Sequence, residues 1–329
     1  MMLAPDPRVP RRDALLRAET MAGVLSQRLH GGVPVEACER HYVKYRVGES
    51  LRVVYRYRVG EQTRFAAARS GRRDGIAAPE VDAALYPFPY DRKLPGLANL
   101  PGELVAWAAE QSATSRTATA YAKVQRGDGE RRGLRALADQ DTVRVPRVLD
   151  DDGDVLTIEA LHGRAPDLHG LGKTLAALHE HDVPGTLASF DRLDPAHLQT
   201  AATVVASARP DAGDAVKRLV DRLGAPPAQP DVTIHGDANL RNALTLEDGR
   251  VALLDLEHLS AGPAAADVGQ VVANLLVAGT DARPFLAGYG PLDREALRWY
   301  TLASLLARVA LPAVSRVRED LLPRLSRLL

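Results

Sequence analysis

The chain has almost no cysteine. Cys38 is the only one in 329 residues, which excludes an internal disulfide and a cysteine-based zinc site. It has no net charge either: 42 Lys+Arg balance 42 Asp+Glu, so no overall field draws nucleic acid or an anionic membrane. No apolar run approaches the ~18 residues that a membrane-spanning helix needs. The first residues (Arg8, Arg11, Arg12, Asp13, Arg17, Glu19) are too charged for a signal peptide. These absences predict a cytoplasmic protein with neither nucleic acid nor membrane as partner. Lysine is also scarce, with only Lys44, Lys93, Lys123, Lys173 and Lys217 in a chain that uses arginine freely. A lysine inside an apolar strand therefore stands out.

What is present describes an ordinary globular protein, 46% hydrophobic and 26% charged, long enough for two domains or lobes. Residues 11–29 carry Leu15, Leu16, Met21, Val24, Leu25 and Leu29 at helical spacing and stop at Gly31-Gly32. Two β-rich runs, 42–47 and 51–57, flank a Gly48-Glu49-Ser50 turn and predict a hairpin, with a third strand over 62–68. Residues 70–101, rich in Gly and Pro, read as a loop with little regular pattern. Extended structure resumes over 103–125, followed by a short helix over 129–139 and a strand pair at 145–149 and 155–160. Helical periodicity then dominates, over 168–181, 195–208, 211–223, 267–277 and 294–328. A strand-rich first half meets a helix-rich second half, an α+β arrangement.

The chemistry-bearing stretch is His235-Gly236-Asp237-Ala238-Asn239-Leu240-Arg241-Asn242, followed by Leu253-Leu254-Asp255-Leu256-Glu257. Val232 and Ile234 lead into a turn at Gly236. Residues 243–246 and 250–254 flank an Asp248-Gly249 turn and predict a hairpin that folds Asp255 back to the level of Asn242. One carboxylate would then face a substrate hydroxyl, and an Asn/Asp pair would face a metal. Phosphoryl transfer needs those groups: a carboxylate to orient and deprotonate a hydroxyl, and oxygen ligands to hold Mg²⁺. Either half alone recurs by chance. The two together, at this separation, do so far less readily.

This pattern resembles the aminoglycoside phosphotransferase family, the small-molecule branch of the protein-kinase-like fold that also includes choline kinases. The family shows His-Gly-Asp with Asn five residues after the Asp. A hydrophobic run ending in Asp-x-Glu follows, then Gly-x-x-x-x-Asp, here Gly262 to Asp267. The resemblance covers about 230–277 closely. The Leu171-Gly172, Leu175, Leu178-His179 pattern also fits the family's helix between the lobes. It implies a two-lobed fold with Asp237 as catalytic base, Asn242 and Asp255 as Mg²⁺ ligands, and His235 and Asp267 as braces of the loop.

In such a fold, Lys123 is the candidate for the α/β-phosphates, because it lies in an apolar strand followed by a helix. Lys44, in the first hairpin, is its rival. Two acidic partners for Lys123 remain open: Glu130, favoured because the family's partner is a glutamate, and Asp139, whose spacing is closer to the family's. The phosphate-covering loop is either Gly48-Glu49-Ser50 or Ser112–Arg116. Neither is glycine-rich, and no G-x-x-x-x-G-K-[ST] occurs, so the chain is not a P-loop enzyme. Residues 155–162 form the expected hinge, with backbone groups near Glu159 and Leu161 pairing with adenine.

His179-Glu180-His181 could bind a metal but better suits a helix end. Asp281, Asp293, Glu295, Glu319 and Asp320 could line a pocket for a cationic acceptor, although solvated helix faces account for most of them. The expected protein has an N-lobe over 1–160, with an extension of helix and hairpin over about 1–100, and a helical C-lobe over 161–329. It would transfer phosphate from ATP to a hydroxyl of an aminoglycoside, related antibiotic or amino sugar. The alternatives are a choline- or sugar-type metabolite kinase and a nucleotide-binding pseudokinase. Oligomeric state leaves no mark on the sequence.

Overall fold

A computed structural model describes residues 3–181, 185–310 and 321–328. The chain divides into two compact units. The first holds residues 3–126 and 150–157. The second holds 127–149, 158–181, 185–310 and 321–328. The division departs from a single cut at 160, because residues 127–149 cluster with the second unit. Among the described residues, no helix is long and apolar enough to cross a membrane.

The first unit opens with helices α1 (Arg12–Leu16) and α2 (Ala18–Leu29). The single helix expected over 11–29 is broken at Arg17, whose backbone is extended. Strands β1 (Glu36–Arg46), β2 (Ser50–Val59), β3 (Gln62–Ser70), β4 (Ile76–Ala78) and β5 (Ala83–Pro87) form an antiparallel sheet of order β1-β2-β3-β5-β4. The expected extension of helix and hairpin is thus a five-stranded sheet with two helices. Residues 70–101 are not patternless: β4 and β5 lie there. They are short and alanine-rich, with Ile76 their one β-branched residue, so they show little β-branched content and no alternation.

A second sheet, of order β6-β7-β8-β10-β9, comprises β6 (Glu103–Ala108), β7 (Ser112–Arg116), β8 (Ala120–Gln125), β9 (Val148–Asp151) and β10 (Leu156–Glu159). Residues 112–116, a candidate phosphate loop from sequence, are therefore strand β7, paired on both sides by β6 and β8. One hydrophobic core joins the sheets: Val54, Ala67, Ala84 and Tyr86 from the first meet Trp107, Ala113, Ala122 and Val124 from the second. Burial alternates along β8, so Ala120, Ala122 and Val124 face the core while Lys123 lies on the opposite face, half-buried.

The second unit contains α3 (Gly129–Ala136), α4 (Leu168–His179), α5 (Pro195–Ala208), α6 (Gly213–Leu223), α7 (Ala264–Ala278), α8 (Arg283–Tyr289), α9 (Arg294–Leu305) and α10 (Leu322–Leu328). The helix expected over 294–328 is α9, a π-helical turn Leu306–Ala310 and α10, and residues 311–320 lie outside the described ones. Two small antiparallel pairs carry the motif residues. They are β11 (Asp231–Ile234) with β14 (Ser260–Pro263), and β12 (Ala243–Thr245) with β13 (Val251–Leu253). Helices α4 and α8 pack backbone to backbone. A Cβ on Gly172 would lie 2.3 Å from the Phe285 carbonyl oxygen, and one on Gly288 would lie 2.0 Å from that of His169.

Candidate active site

Strand β11 is buried at Thr233 and Ile234 and runs directly into His235. The chain then reverses at Gly236, which has φ +75°, and a Cβ there would lie 2.1 Å from the His258 carbonyl oxygen. Only glycine fits both constraints. The His235 ring is turned inward, its Nε2–H donating to the Leu254 carbonyl at 2.9 Å and its Nδ1 accepting the Asp237 N–H at 3.3 Å.

Asp267, in the first turn of α7, is wholly buried. Its Oδ2 accepts the His235 N–H at 2.7 Å and its Oδ1 accepts the Gly236 N–H at 2.9 Å. His179 Nε2 lies 3.2 Å from Oδ2, and the Tyr289 hydroxyl lies 2.9 Å from His179 Nδ1. Burial by itself would push the Asp267 carboxyl up. The His179 hydrogen bond and charge, together with His235, outweigh it and hold the carboxyl below the ordinary aspartate value. Tyr289 moves the other way: burial first, then the negative charge of Asp267, pushes it up to about 12.

The turn beyond Gly236 is tied to itself. Asn239 accepts the Arg241 N–H at 2.9 Å, and its own amide donates to the Asp237 carbonyl at 2.9 Å. Asn242 Nδ2 donates to the same carbonyl at 3.0 Å and lies 3.4 Å from Asp237 Oδ2. The structure thus brings Asp237 and Asn242 together. The β12–β13 hairpin closes as expected, with Leu253 opposite Ala243 and the Leu254 N–H donating to the Asn242 carbonyl at 2.9 Å. Asp255 follows immediately, in a left-handed backbone conformation (φ 60°, ψ 62°) that costs a non-glycine residue on the order of 1–2 kcal/mol. With its amide nitrogen turned to Asp237, Asn242 keeps its side-chain oxygen for another partner. An amide oxygen and a carboxylate, here those of Asn242 and Asp255 at neighbouring ends of the hairpin, are the hard-oxygen donors that suit a cation completed by phosphate and water. Among the described residues, no group of three or more His, Cys, Asp or Glu side chains is placed to hold a metal ion.

The other residues singled out from sequence are placed as follows. Lys123 lies in β8, opposite Thr114. Lys44 lies in β1, opposite Arg52. Glu130, wholly buried, is in the first turn of α3. That helix sits on the turn after Asp255, so closely that a Cβ on Gly133 would lie 2.4 Å from the Leu256 carbonyl oxygen. Asp139 lies beyond the helix end, exposed. The Glu159 side chain pairs with Arg144 at 2.6 Å and Arg147 at 3.4 Å, and its N–H donates to the Arg147 carbonyl at 2.9 Å. Leu161 lies in the irregular segment after β10.

Asp281 lies two residues before α8 and accepts the Arg283 N–H at 3.0 Å. Asp293 likewise accepts the Ala296 N–H at 2.7 Å at the start of α9. Both stand beside helix starts and are exposed. Glu319 and Asp320 lie outside the described residues.

Two contributors escaped the sequence reading. His179 is the buried partner of Asp267. The Leu178-His179 spacing was its only local trace. Arg192 has none: its Nη1 lies 3.4 Å from Asp237 Oδ1 and donates to the Gly236 carbonyl at 3.1 Å.

Comparison with known proteins identifies a family. Residues 106–300 match the model of the phosphotransferase enzyme family (APH). Among solved structures, a choline/ethanolamine kinase family protein from Mesorhizobium loti is similar at 19% identity and TM-score 0.50, over 71% of this chain and 89% of that one. An aminoglycoside phosphotransferase from Streptomyces rimosus matches at 26% identity and TM-score 0.47, over 62% of this chain and 92% of that one. A macrolide 2'-phosphotransferase from Brachybacterium faecium matches at 18% identity and TM-score 0.45, over 62% of this chain and 83% of that one. No curated protein matches the sequence. The loop that carries Asp237 and Asn242, the hairpin that returns Asp255 and the family match over 106–300 lead to one conclusion: the chain belongs to the phosphotransferase enzyme family, as a small-molecule phosphotransferase with an α+β, two-lobed protein-kinase-like fold.

Proposed function

We propose that the protein is an ATP-dependent O-phosphotransferase for a hydroxyl of a small molecule, either an aminoglycoside or related antibiotic, or an amino sugar. The observation that carries this reading is the Asp237 carboxylate, held 3.4 Å from the Asn242 amide on a turn whose backbone is clamped by buried Asp267. A fixed carboxylate that is still 30% exposed suits a group that must meet an incoming hydroxyl.

In this reading Asp237 takes the acceptor's proton as the acceptor oxygen bonds to the γ-phosphorus. The bond from that phosphorus to its bridging oxygen breaks, and ADP leaves with the electron pair. Asn242 and Asp255 would hold Mg²⁺, which when bound neutralises charge on the phosphate oxygens. Lys123 takes the α/β-phosphates, with Glu130 as its acidic partner. Adenine is taken by backbone near Glu159 and Leu161. Because the Glu159 N–H is given to Arg147, its carbonyl is the group assigned to adenine. Residues 1–160 act as the nucleotide-binding lobe and 161–329 carry the chemistry and the acceptor site. A cytoplasmic setting supplies the nucleotide.

The test is Mg·ATP consumption by the full chain across a panel of aminoglycosides, other hydroxylated antibiotics, amino sugars and amino alcohols. At least one acceptor raises turnover, and Asp237→Asn lowers that turnover by roughly 10²–10⁴-fold, the usual contribution of a general base. Lys123→Ala weakens use of ATP far more than Lys44→Ala. A best response from choline-like alcohols or simple sugars selects the metabolite-kinase alternative. Mg·ATP binding without stimulation by any acceptor favours the pseudokinase.

A further inference from the structure

We infer that Arg192 is a further catalytic residue of this site, a fixed guanidinium that stabilises the phosphoryl group in transit. The inference rests on the reading of Asp237 as base. The sequence gives no hint of it, since Arg192 belongs to the irregular segment between α4 and α5.

Three observations carry the inference. The segment leading to Arg192 is built in: Ser189 bridges in parallel to Ala261, the Phe190 N–H donates to the Ala261 carbonyl at 2.7 Å, and the Ala261 N–H donates to the Ala188 carbonyl at 2.8 Å. Residues 188–190 thus extend the β11–β14 pair. Phe190 packs against Gly262, where a Cβ would come within 2.7 Å of the Phe190 Cβ. The strand that delivers Arg192 is therefore fixed to the strand pair that delivers Asp237.

Among the described residues the guanidinium is anchored through one nitrogen. Nη1 donates to the Gly236 carbonyl at 3.1 Å and lies 3.4 Å from Asp237 Oδ1. The side chain is 43% exposed, and the remaining N–H groups of the planar fork are directed at no other carboxylate among the described residues.

Finally, the contact is poorly explained as a structural device. A pair this exposed is screened by solvent and adds little to stability, whereas the loop is already held by buried bonds from Asp267 and His235. An acceptor hydroxyl bonded to Asp237 brings the reacting phosphorus to the same edge of the loop. Charge then spreads over the non-bridging oxygens of that group, and a preorganised cation beside the base stabilises it without reorganisation. Arg192 makes and breaks no covalent bond. The proton still goes to Asp237 and the electron pair leaves with ADP.

The test needs no acceptor. Mg·ADP and Mg·ADP with fluoroaluminate, a mimic of the phosphoryl group in transit, are added to the full-length protein, and the melting temperature is followed. Wild type gains stability with Mg·ADP and a further increment with fluoroaluminate. Arg192→Ala keeps the first gain and loses the further increment, while Arg192→Lys keeps part of it. With an active acceptor from the panel, Arg192→Ala lowers kcat by roughly 10²–10³-fold, leaves the KM for ATP nearly unchanged and is partly rescued by added guanidinium. A full fluoroaluminate increment in Arg192→Ala, or none in wild type that still responds to Mg·ADP, overturns the role of Arg192 alone. No response of wild type to Mg·ADP overturns the nucleotide reading on which it rests. Because the side chain is 43% exposed and fills no core position, the variants are expected to fold, and an unchanged far-ultraviolet circular dichroism spectrum checks this.

Discussion

Asp267 accepts the N–H groups of His235 and Gly236 and faces His179, all of them buried. Asp267→Asn keeps the shape and one acceptor but removes the charge that repays burial of this cluster. One of the two buried N–H groups then loses its acceptor, and a hydrogen bond to a charged group is worth about 1.5–3 kcal/mol. At roughly 2–4 °C per kcal/mol for a unit of this size, the melting temperature falls by roughly 3–12 °C. Asp237→Asn, on a partly exposed side chain, leaves the melting temperature nearly unchanged while removing activity, so calorimetry beside the acceptor assay separates clamp from base. The depressed Asp267 carboxyl also sets a pH dependence. A folded-state value below the unfolded value of about 3.9 contributes stability that is fully present above that pH and is lost as pH falls through the folded-state value. The gap in melting temperature between wild type and Asp267→Asn therefore narrows in acid, below about pH 4. A gap that stays constant from pH 7 to pH 3 removes the ionised carboxylate from the account.

Helices α4 and α8 meet where Gly172 and Gly288 have no side chains, and this contact lets Tyr289 reach His179, which in turn reaches Asp267. Gly288→Ala forces a methyl group against the His169 backbone, and overpacking of this kind costs about 1–3 kcal/mol. Tyr289→Phe removes only a hydroxyl, worth about 1 kcal/mol. Chemical denaturation is expected to rank Gly288→Ala below Tyr289→Phe. The reverse order means that the hydroxyl, not the helix contact, holds His179. These elements also show what the sequence could reveal. The long helices α5 and α7 were legible because apolar spacing repeats over several turns. Seven-residue α8, with Pro284 and Gly288, and strand β14, which reads Ser-Ala-Gly-Pro, offer no period to detect. The site divides in the same way. His235, Gly236, Asp237, Asn242 and Asp255 form a local pattern that could be read directly. His179 meets Asp267 from 88 positions away and Tyr289 from 110, and such meetings leave no trace in local spacing.

On the scale of the whole chain, the first hundred residues lie upstream of the family match, yet they are not a detachable module. Val54, Tyr86, Leu94 and Leu97 occupy one core with Trp107, Ala113, Ala122 and Val124, the last two on the strand that carries Lys123. Burying the four upstream side chains contributes about 6–12 kcal/mol at 1.5–3 kcal/mol each. That matches the net stability of a typical domain, about 5–15 kcal/mol, so the second sheet cannot lose them and remain folded. A chain of residues 101–329 is therefore expected to expose the Trp107 face. It would bind a hydrophobic dye and show no cooperative melting of the β6–β10 sheet, and the response to Mg·ADP proposed for the full chain would disappear with the sheet that carries Lys123. Full-length protein with Trp107→Ala should show a milder form of the same defect, about 3–5 kcal/mol of lost stability. A truncated chain that melts cooperatively, with the Trp107 fluorescence of a buried indole, would show that the first sheet is an accessory layer and that the 106–300 segment builds its nucleotide lobe alone.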